Sequence, residues 1–351
     1  MRLFSMNYNG IMDSFLPFYE KETNLLKADK VVLWNGVTNP QVTIINLAKE
    51  YGKETIEIEH GMCAVSDYKV DLKDTSNGMG GKPFIADKIC VWGKRSAEIM
   101  YNAGAPKEKV FIVGSPILWN YEYRYTCDDE ERILAGFGGT EIKDKQDGRV
   151  WKLMGHREYI PTNKERKYII FFPYHDATPK GLEENRKIWQ QIKNRDDVVV
   201  KLSSNYANEK DDNPFKELVK YETKRAKNQP PKAFIADTRK QLSTQLNKKL
   251  LEMASCAVMG APGTTNGICY AMQVPTIVPK IDWGWRVDGK LEFDIHKGDY
   301  DCEPDKINEA IDKILEQDTK IDERRECAEE FMGTDLEECP RDLIRRVIDA
   351  I

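Results

Sequence analysis

Residues 168–203 read YIIFFPYHDATPKGLEENRKIWQQIKNRDDVVVKLS, and their pattern predicts a strand–helix–strand unit. The apolar run at 168–172 is closed by Pro173 and predicts a buried strand. Residues 182–195 then predict a helix, and the run at 197–202 predicts the next strand. Strands that alternate with helices at this rhythm favour a parallel sheet covered by helices.

The same alternation continues on both sides of this unit. After it, the pattern predicts helices and strands at 214–225, 232–236, 242–254, 256–260, 265–272 and 275–279. Before it, the pattern predicts strands and helices at 30–34, 40–51, 55–59, 88–92, 96–103 and 109–113. The charged, glycine-containing stretch from about 121 to 166 has no clean period. We interpret it as an irregular connection between two α/β units.

The length of the chain supports two domains. Its 351 residues exceed the roughly 250–300 at which a single core stops growing. We therefore predict an N-terminal Rossmann-like domain at 1–160, with the connector from about 121, and a C-terminal Rossmann-like domain at 161–325. Amphipathic helices at 326–351 follow and could pack back on the N-terminal domain.

Composition excludes several classes of function. The net charge of -5 gives no basic field for a nucleic acid, so we expect no such partner. The 8 cysteines form no CxxC pair, which disfavours a zinc ribbon or a thioredoxin-type site. No run approaches the ~20 apolar residues of a membrane span, and the interrupted N-terminal stretch does not resemble a signal peptide. We expect a cytoplasmic protein.

Ligands of such folds bind where parallel strands end, because helix N-termini there present unpaired N–H groups and a positive dipole end. The segment after the predicted strand at 256–260 contains Gly263, Thr264 and Thr265 at the start of a helix. Close backbone approach, two hydroxyls and the helix dipole suit a phosphate. The alternative is that one threonine is simply a helix N-cap.

The corresponding edge of the first half carries a histidine. His60 is one of 4 histidines and follows the strand that ends near Glu59. A histidine beside a carboxylate can act as a general base near neutral pH, so His60 and Glu59 are the catalytic candidates. A half-buried histidine bonded to a loop carbonyl is the alternative. His175, in the second half, is a parallel candidate in a polar loop.

The order of these motifs resembles that of a known group of enzymes. Segments 34–36, 59–61, 76–78, 86–93 and 110–116 look like the first domain of capsular-polysaccharide synthesis proteins of the Kdo-transferase type. Segments 200–202 and 250–278 look like the second domain of those proteins and of CDP-glycerol glycerophosphotransferases. The resemblance covers most of the chain and rests on short motifs.

The resemblance implies a GT-B glycosyltransferase, with two Rossmann-like domains facing a cleft. It further implies a nucleotide-sugar donor as co-substrate, a glycan or lipid-linked acceptor, and neither a metal nor another cofactor. We place acceptor-side residues at Asn35, Gly61 and Ser115. We place donor-binding residues at Lys201, Ser203, Gly263, Thr264, Thr265 and His175.

Two departures from the resemblance leave other functions open. Ser203-Ser204 stands where those relatives commonly carry His-Pro, and a Gly-rich first strand-loop is not evident. A nucleotide-sugar 2-epimerase or a catalytically inactive GT-B-like binding protein are therefore the alternatives. Arg341, Arg345 and Arg346 could rest on an anionic membrane surface as a peripheral contact, or could simply form a solvated helix face.

Overall fold

The structure of the chain is a computed structural model. It describes residues 3–6, 27–34, 36, 39–62, 84–118, 141–143, 150–154, 168–174, 179–203, 206, 210–225, 232–236, 247, 250–251, 254–281, 286–287, 290–291 and 296–350. The contacts between residues divide the chain into two compact units. The first comprises Met1–Trp119, Arg286–Glu292 and Ala328–Ile351, and the second comprises Asn120–Trp285 and Phe293–Cys327.

The first unit contains a parallel sheet of five strands in the order β1-β2-β3-β4-β5. Two helices, α1 and α2, follow β2 and β4 along the chain. This is the architecture predicted from the alternation in the first half. The bounds are β1 Leu3–Met6, β2 Lys30–Trp34, α1 Asn39–Glu50, β3 Glu54–Ile58, β4 Lys88–Val91, α2 Lys94–Asn102 and β5 Val110–Ile112, with a 3₁₀ turn at Lys107–Lys109.

The last helix of the chain, α8 (Pro340–Asp349), covers one face of this sheet. Its Val347 packs with Val32, Ile56 and Cys90 from three neighbouring strands. The helix ends where Lys30 Nζ donates to the carbonyl of Ile348 at 2.6 Å. A lysine at this position stabilises the helix because it meets the negative end of the helix dipole.

The opposite face of the same sheet is polar on its central strand. Successive residues of a strand point to opposite faces, so Ile56 faces α8 while Thr55 and Glu57 face the other side. Thr55 is held there by Asp87, whose Oδ2 accepts hydrogen bonds from the Thr55 N–H and hydroxyl at 2.9 and 2.7 Å. Buried carboxylates on this face contribute to the candidate site described below.

The second unit contains a sheet of eight strands in the order β15-β12-β11-β8-β9-β10-β7-β6. The pairs from β15 to β10 are parallel, and β7 and β6 are antiparallel. A separate antiparallel pair, β13 and β14, lies within Arg286–Glu292 and so belongs to the first unit. The strands are β6 Glu141–Lys143, β7 Val150–Met154, β8 Tyr168–Phe172, β9 Val198–Ser203, β10 Ala233–Ala236, β11 Ala254–Met259, β12 Thr276–Pro279, β13 Arg286–Val287, β14 Lys290–Leu291 and β15 Asp299–Cys302.

Helices complete the second unit and the C-terminal part of the chain. Phe215, just before α4, packs on Phe171 of β8 and Trp189 of α3, with ring centroids 6.1 and 5.8 Å apart. These aromatic contacts bury one face of the central strands. The bounds are α3 Pro179–Ile192, α4 Lys216–Lys224, α5 Thr264–Ala271, α6 Ile307–Glu316 and α7 Ile321–Met332, with a 3₁₀ turn at Pro304–Lys306.

The connection predicted as irregular contributes strands to the second sheet. β6 and β7 lie within 121–166 and form an antiparallel pair at the end of the strand order. Strands at a sheet edge need not be apolar on both faces, so a charged stretch can form them. β15 was not predicted either, because its sequence DYDC alternates charge with aromatic and thiol groups.

Candidate functional site

The loop between β11 and α5 lies close against the end of β8. The Gly260 N–H donates to the carbonyl of Phe172 at 2.6 Å. A Cβ at position 260 would overlap the backbone of Pro173 and Tyr174. Glycine is needed here because two strand ends meet with no room for a side chain.

The backbone that follows β8 is held by a buried polar cluster. Asn185 of α3 is fully buried; its Oδ1 accepts from the Tyr174 N–H at 2.9 Å and its Nδ2 donates to the Tyr174 carbonyl at 3.0 Å. The Tyr206 hydroxyl donates to the same carbonyl at 2.9 Å. The strand end that precedes position 175 is thereby held in place. His175 itself lies outside the described residues.

Gly263, at the start of α5, lies in open space. No heavy atom approaches within 4 Å of the position where its Cβ would be, and its φ of 166° is ordinary extended backbone. The Gly263 N–H donates to Asn266 Oδ1 at 3.0 Å, and the Asn266 N–H donates back to the Gly263 carbonyl at 2.9 Å. This reciprocal cap closes around the first turn of the helix, in which the N–H groups of Thr264 and Thr265 follow Gly263.

Asn266 is in turn held by a buried carboxylate. Asp299 of β15 is fully buried, and its Oδ1 accepts from Asn266 Nδ2 at 3.2 Å and from the Thr276 hydroxyl. Its Oδ2 accepts from the Tyr270 hydroxyl at 2.7 Å and the His296 N–H at 3.0 Å. A buried carboxylate is stable only when its oxygens are hydrogen-bonded in this way. We call these five residues the Asp299 cluster.

Within the Asp299 cluster, Tyr270 and His296 also contact each other. Burial, together with the charge of Asp299, raises the pKa of Tyr270 well above its ordinary value, so the phenol keeps its proton and donates it. His296 Nδ1 lies 2.8 Å from the Tyr270 hydroxyl oxygen. Since that hydroxyl donates to Asp299, the His296 ring donates in this contact. Sequence reasoning assigned no role to His296, because its partners are 26 or more residues away in the chain or belong to the unpredicted β15.

A second buried amide lies beside the start of α5. Asn247 is 7% exposed, and its Nδ2 lies 3.4 Å from the Thr265 hydroxyl oxygen. Its Oδ1 is buried and has no hydrogen-bond partner. Sequence reasoning missed this residue. The signal available was only its place in the predicted helix at 242–254, of which residues 247, 250 and 251 are described and helical.

Lys201 and Ser203 lie on one face of β9, as their two-residue spacing requires. Phe171 is in register with Val200 and packs on Phe215, so Lys201 points to the sheet face away from Phe215. Lys201 is partly exposed as a whole residue, but its ammonium is surrounded by protein, and burial lowers its pKa to about 8. The Ser203 hydroxyl is buried without a hydrogen-bond partner.

In the first unit, Glu59 anchors the start of α2. Its carboxylate accepts hydrogen bonds from the Trp92 N–H and from the Ser96 hydroxyl, the latter at 2.6 Å. Its carbonyl also accepts from the Trp92 indole at 3.0 Å. Both oxygens face the N-terminal end of α2, where a negative charge stabilises a helix. The predicted catalytic role of Glu59 stays a prediction, and its described contacts are those of an anchor.

A neighbouring carboxylate anchors the loop after β2. Glu57 is 1% exposed, and its Oε1 accepts from the Gly36 N–H at 2.6 Å. A Cβ at Gly36 would overlap the Glu57 carboxylate. Sequence reasoning missed Glu57, since a glutamate within a strand usually marks a solvated face.

The other residues predicted in the first unit follow its strand ends. His60 is partly exposed and Gly61 is buried, both directly after β3. Ser115 is buried after β5; its N–H donates to the Met332 carbonyl at 2.9 Å, and its hydroxyl has no partner. Asn35 lies outside the described residues.

In the described part of the chain, no group of three or more His, Cys, Asp or Glu residues is arranged to hold a metal ion. None of the helices described is both long enough and apolar enough to cross a membrane.

Solved structures are similar to this chain, although no protein-family model and no curated protein matches it. The UDP-GlcNAc 2-epimerase from Neisseria meningitidis bound to UDP-GlcNAc has a TM-score of 0.51 at 11% identity, over 96% of this chain and 83% of that one. S. aureus MnaA with UDP and a putative UDP-N-acetylglucosamine 2-epimerase from Listeria monocytogenes each have a TM-score of 0.50 at 12% identity, over 94% of this chain and 79% of theirs.

The chain has a GT-B-like fold. Its two parallel-sheet α/β units with C-terminal helices match the predicted fold class. In a GT-B-like chain, as in other open parallel sheets, loops at the carboxyl ends of strands are where ligands bind. The start of α5 is such a loop, and the Asp299 cluster fixes its position.

Asp299→Asn tests whether the cluster depends on a charged acceptor. The substitution places an N–H₂ group among four donors, so we expect the free energy of unfolding to fall by about 3 kcal/mol or more. Urea denaturation followed by circular dichroism measures it. Asp301→Asn, on the same strand, is the control: its exposed carboxylate pairs with Lys280, and we expect a loss below about 1 kcal/mol. Equal losses for the two variants would contradict the assignment.

Proposed function

We propose that this chain acts on a nucleotide-activated sugar whose diphosphate binds at the start of α5. The observation that carries the proposal is the open end of this helix at Gly263, with the hydroxyls of Thr264 and Thr265 beside it and the Asp299 cluster behind it. Helix N–H groups and a positive dipole end favour a phosphate. Two similar structures contain UDP-GlcNAc or UDP, which supports this class of ligand.

The reaction we propose is sugar transfer. An acceptor hydroxyl, on a glycan or a lipid-linked glycan, attacks the anomeric carbon and loses its proton. The bond from that carbon to the phosphate oxygen breaks, and the nucleoside diphosphate leaves with the electron pair. Helix N–H groups and hydroxyls at Thr264 and Thr265 stabilise the charge that grows on the leaving phosphate. No metal ion is needed for this stabilisation.

His60 is the group we propose to accept the acceptor's proton if the reaction inverts. It is partly exposed directly after β3, as a base that meets a substrate must be. Glu59 serves His60 indirectly in this proposal, because its bonds to Trp92 and Ser96 fix the strand end from which His60 projects. Gly61, Ser115 and Asn35 stay proposed acceptor-side residues, and His175 and Ser203 stay proposed donor-side residues.

A second candidate function is 2-epimerisation of a nucleotide sugar. Two solved structures with TM-scores of 0.51 and 0.50 favour it, since the first is a UDP-GlcNAc 2-epimerase and the second is described as a putative one. An epimerase changes the configuration at C2 with no acceptor present, whereas a transferase needs the acceptor. An inactive binding protein would bind the nucleotide and turn over nothing.

For the transferase, a peripheral membrane contact through exposed Arg341, Arg345 and Arg346 stays a proposal.

Nucleotide binding tests the first step. We expect the protein to bind at least one of UDP, CDP, CMP and GDP in isothermal titration calorimetry. Thr265→Val should weaken that binding about tenfold, because one hydroxyl donor to a charged phosphate is lost. Thr223→Val is the control, since that exposed hydroxyl bonds to the Val219 carbonyl of its own helix at 2.8 Å.

Product analysis by NMR then separates the candidate reactions. Turnover of the matching nucleotide sugar only with an oligosaccharide acceptor supports transfer, and a C2 epimer formed without acceptor supports epimerisation. If none of the four nucleotides binds, or if Thr265→Val and Thr223→Val bind equally, the proposed site is wrong.

The pH dependence of binding tests Lys201 as a cation for the phosphate. Its pKa of about 8 means that the free protein loses this charge as the pH rises through 8. Binding then requires proton uptake, so we expect affinity to fall about twofold from pH 7 to 8 and by up to tenfold per pH unit above. Lys201→Met should bind about tenfold more weakly at pH 7 and show no such fall. Lys193→Met, at an exposed position, should behave like the wild type. If the affinity of the wild type does not change up to pH 10, Lys201 does not have this role.

A further inference from the structure

Asn247 has a buried carbonyl oxygen that no group in the described part of the chain satisfies. The residue is 7% exposed, and its Oδ1 has no hydrogen-bond partner. Buried side-chain oxygens are nearly always paired, because an unpaired one has lost its water without compensation. Such an atom beside an open loop is a position where a ligand can supply the missing donor.

The other end of the same amide faces the candidate phosphate site. Asn247 Nδ2 lies 3.4 Å from the Thr265 hydroxyl oxygen, in the first turn of α5. If Nδ2 donates to that oxygen, the Thr265 hydroxyl can turn its own proton toward a ligand. Two groups of opposite kind therefore lie side by side: a donor on Thr265 and an acceptor on Asn247.

A phosphate alone cannot satisfy both groups. Its oxygens accept hydrogen bonds when ionised, so they suit the Thr265 hydroxyl and the helix N–H groups but not the acceptor Oδ1 of Asn247. Oδ1 needs a neutral donor close to the phosphate. A hydroxyl is such a donor, and a nucleotide sugar carries hydroxyls on both sides of its diphosphate, on the ribose and on the sugar.

We propose that Asn247 is a ligand-binding residue whose Oδ1 accepts a hydrogen bond from a ligand hydroxyl next to the phosphate at the start of α5. This inference rests on the proposed function and adds to it a means of selection. The Thr265 end of α5 binds the anion, and Asn247 distinguishes a nucleotide or nucleotide sugar from pyrophosphate and other simple phosphates.

The experiment measures binding by calorimetry to wild type, Asn247→Leu and a control. The probes are pyrophosphate, the tightest-binding nucleotide of the panel, its 2′-deoxy and 3′-deoxy analogues, and the corresponding nucleotide sugar. Leucine keeps the branched shape and the number of heavy atoms of the side chain and removes its hydrogen bonds. Asn308→Leu is the matched control, because Asn308 also has a buried unpaired Oδ1 while its Nδ2 donates to the Gln191 carbonyl at 2.7 Å between α6 and α3.

We expect Asn247→Leu to weaken the hydroxyl-bearing ligand roughly tenfold and to leave pyrophosphate unchanged. If the ribose supplies the hydroxyl, the wild type prefers the nucleotide to one deoxy analogue, and the variant loses that preference. If the sugar supplies it, the loss is confined to the nucleotide sugar. Asn308→Leu should match the wild type with every probe. Thermal unfolding checks that each variant folds, and Asn247→Ala replaces the leucine variant if it does not.

Three results would overturn the inference. Unchanged binding of every probe by Asn247→Leu would remove Asn247 from the site while leaving the proposed function intact. An equal loss of affinity for pyrophosphate and for the nucleotide would indicate that the amide contacts the phosphate and not a hydroxyl. Failure of the wild type to bind any nucleotide would overturn the proposed function and this inference together.

Discussion

The position of the start of α5 depends on the buried carboxylate of Asp299. Asp299 and Asn266 are both fully buried, and Asn266 links Asp299 to the Gly263 N–H. A charge without water requires donors at both oxygens, and the fold supplies them from α5, β12 and the turn before β15. The loop that begins α5 therefore cannot shift without breaking bonds to a buried charge. A site held in this way is organised before its ligand arrives, so less binding energy is spent on ordering it.

The first unit uses the same device on its central strand. Glu57 fixes the loop after β2 through the Gly36 N–H, and Glu59 fixes the start of α2 through Trp92 and Ser96. In both units, the carboxylates lie inside the protein and the loops they bind lie at carboxyl ends of parallel strands. These buried carboxylates therefore have a structural role, since their described bonds are to the protein's own loops. This leaves His60, rather than Glu59, as the group of the pair that could meet a substrate.

Periodicity predicted most of the fold and only part of the candidate site. Strand β8 is apolar on both faces and β9 begins with three valines, so each gives a signal within a few residues of sequence. The loop at Gly263 was also identified from the sequence, since a glycine followed by two threonines at a helix start is a local pattern that favours a phosphate. Asp299 was not visible, because its partner Asn266 is 33 residues away and β15 has the polar sequence DYDC. Asn247 was hidden for the same reason: only the tertiary structure shows that its amide is buried and half satisfied. Long-range polar contacts leave no periodic trace.

In the proposed site, a nucleotide's phosphates bind the first N–H groups of α5. Hydrogen exchange of the backbone amides, resolved to single residues by mass spectrometry with and without saturating nucleotide, measures it most directly. We expect exchange at Thr264 and Thr265 to slow severalfold when nucleotide binds, because their N–H groups then donate to phosphate oxygens. Binding of a nucleotide with unchanged exchange at both residues, and slower exchange elsewhere, would contradict the account.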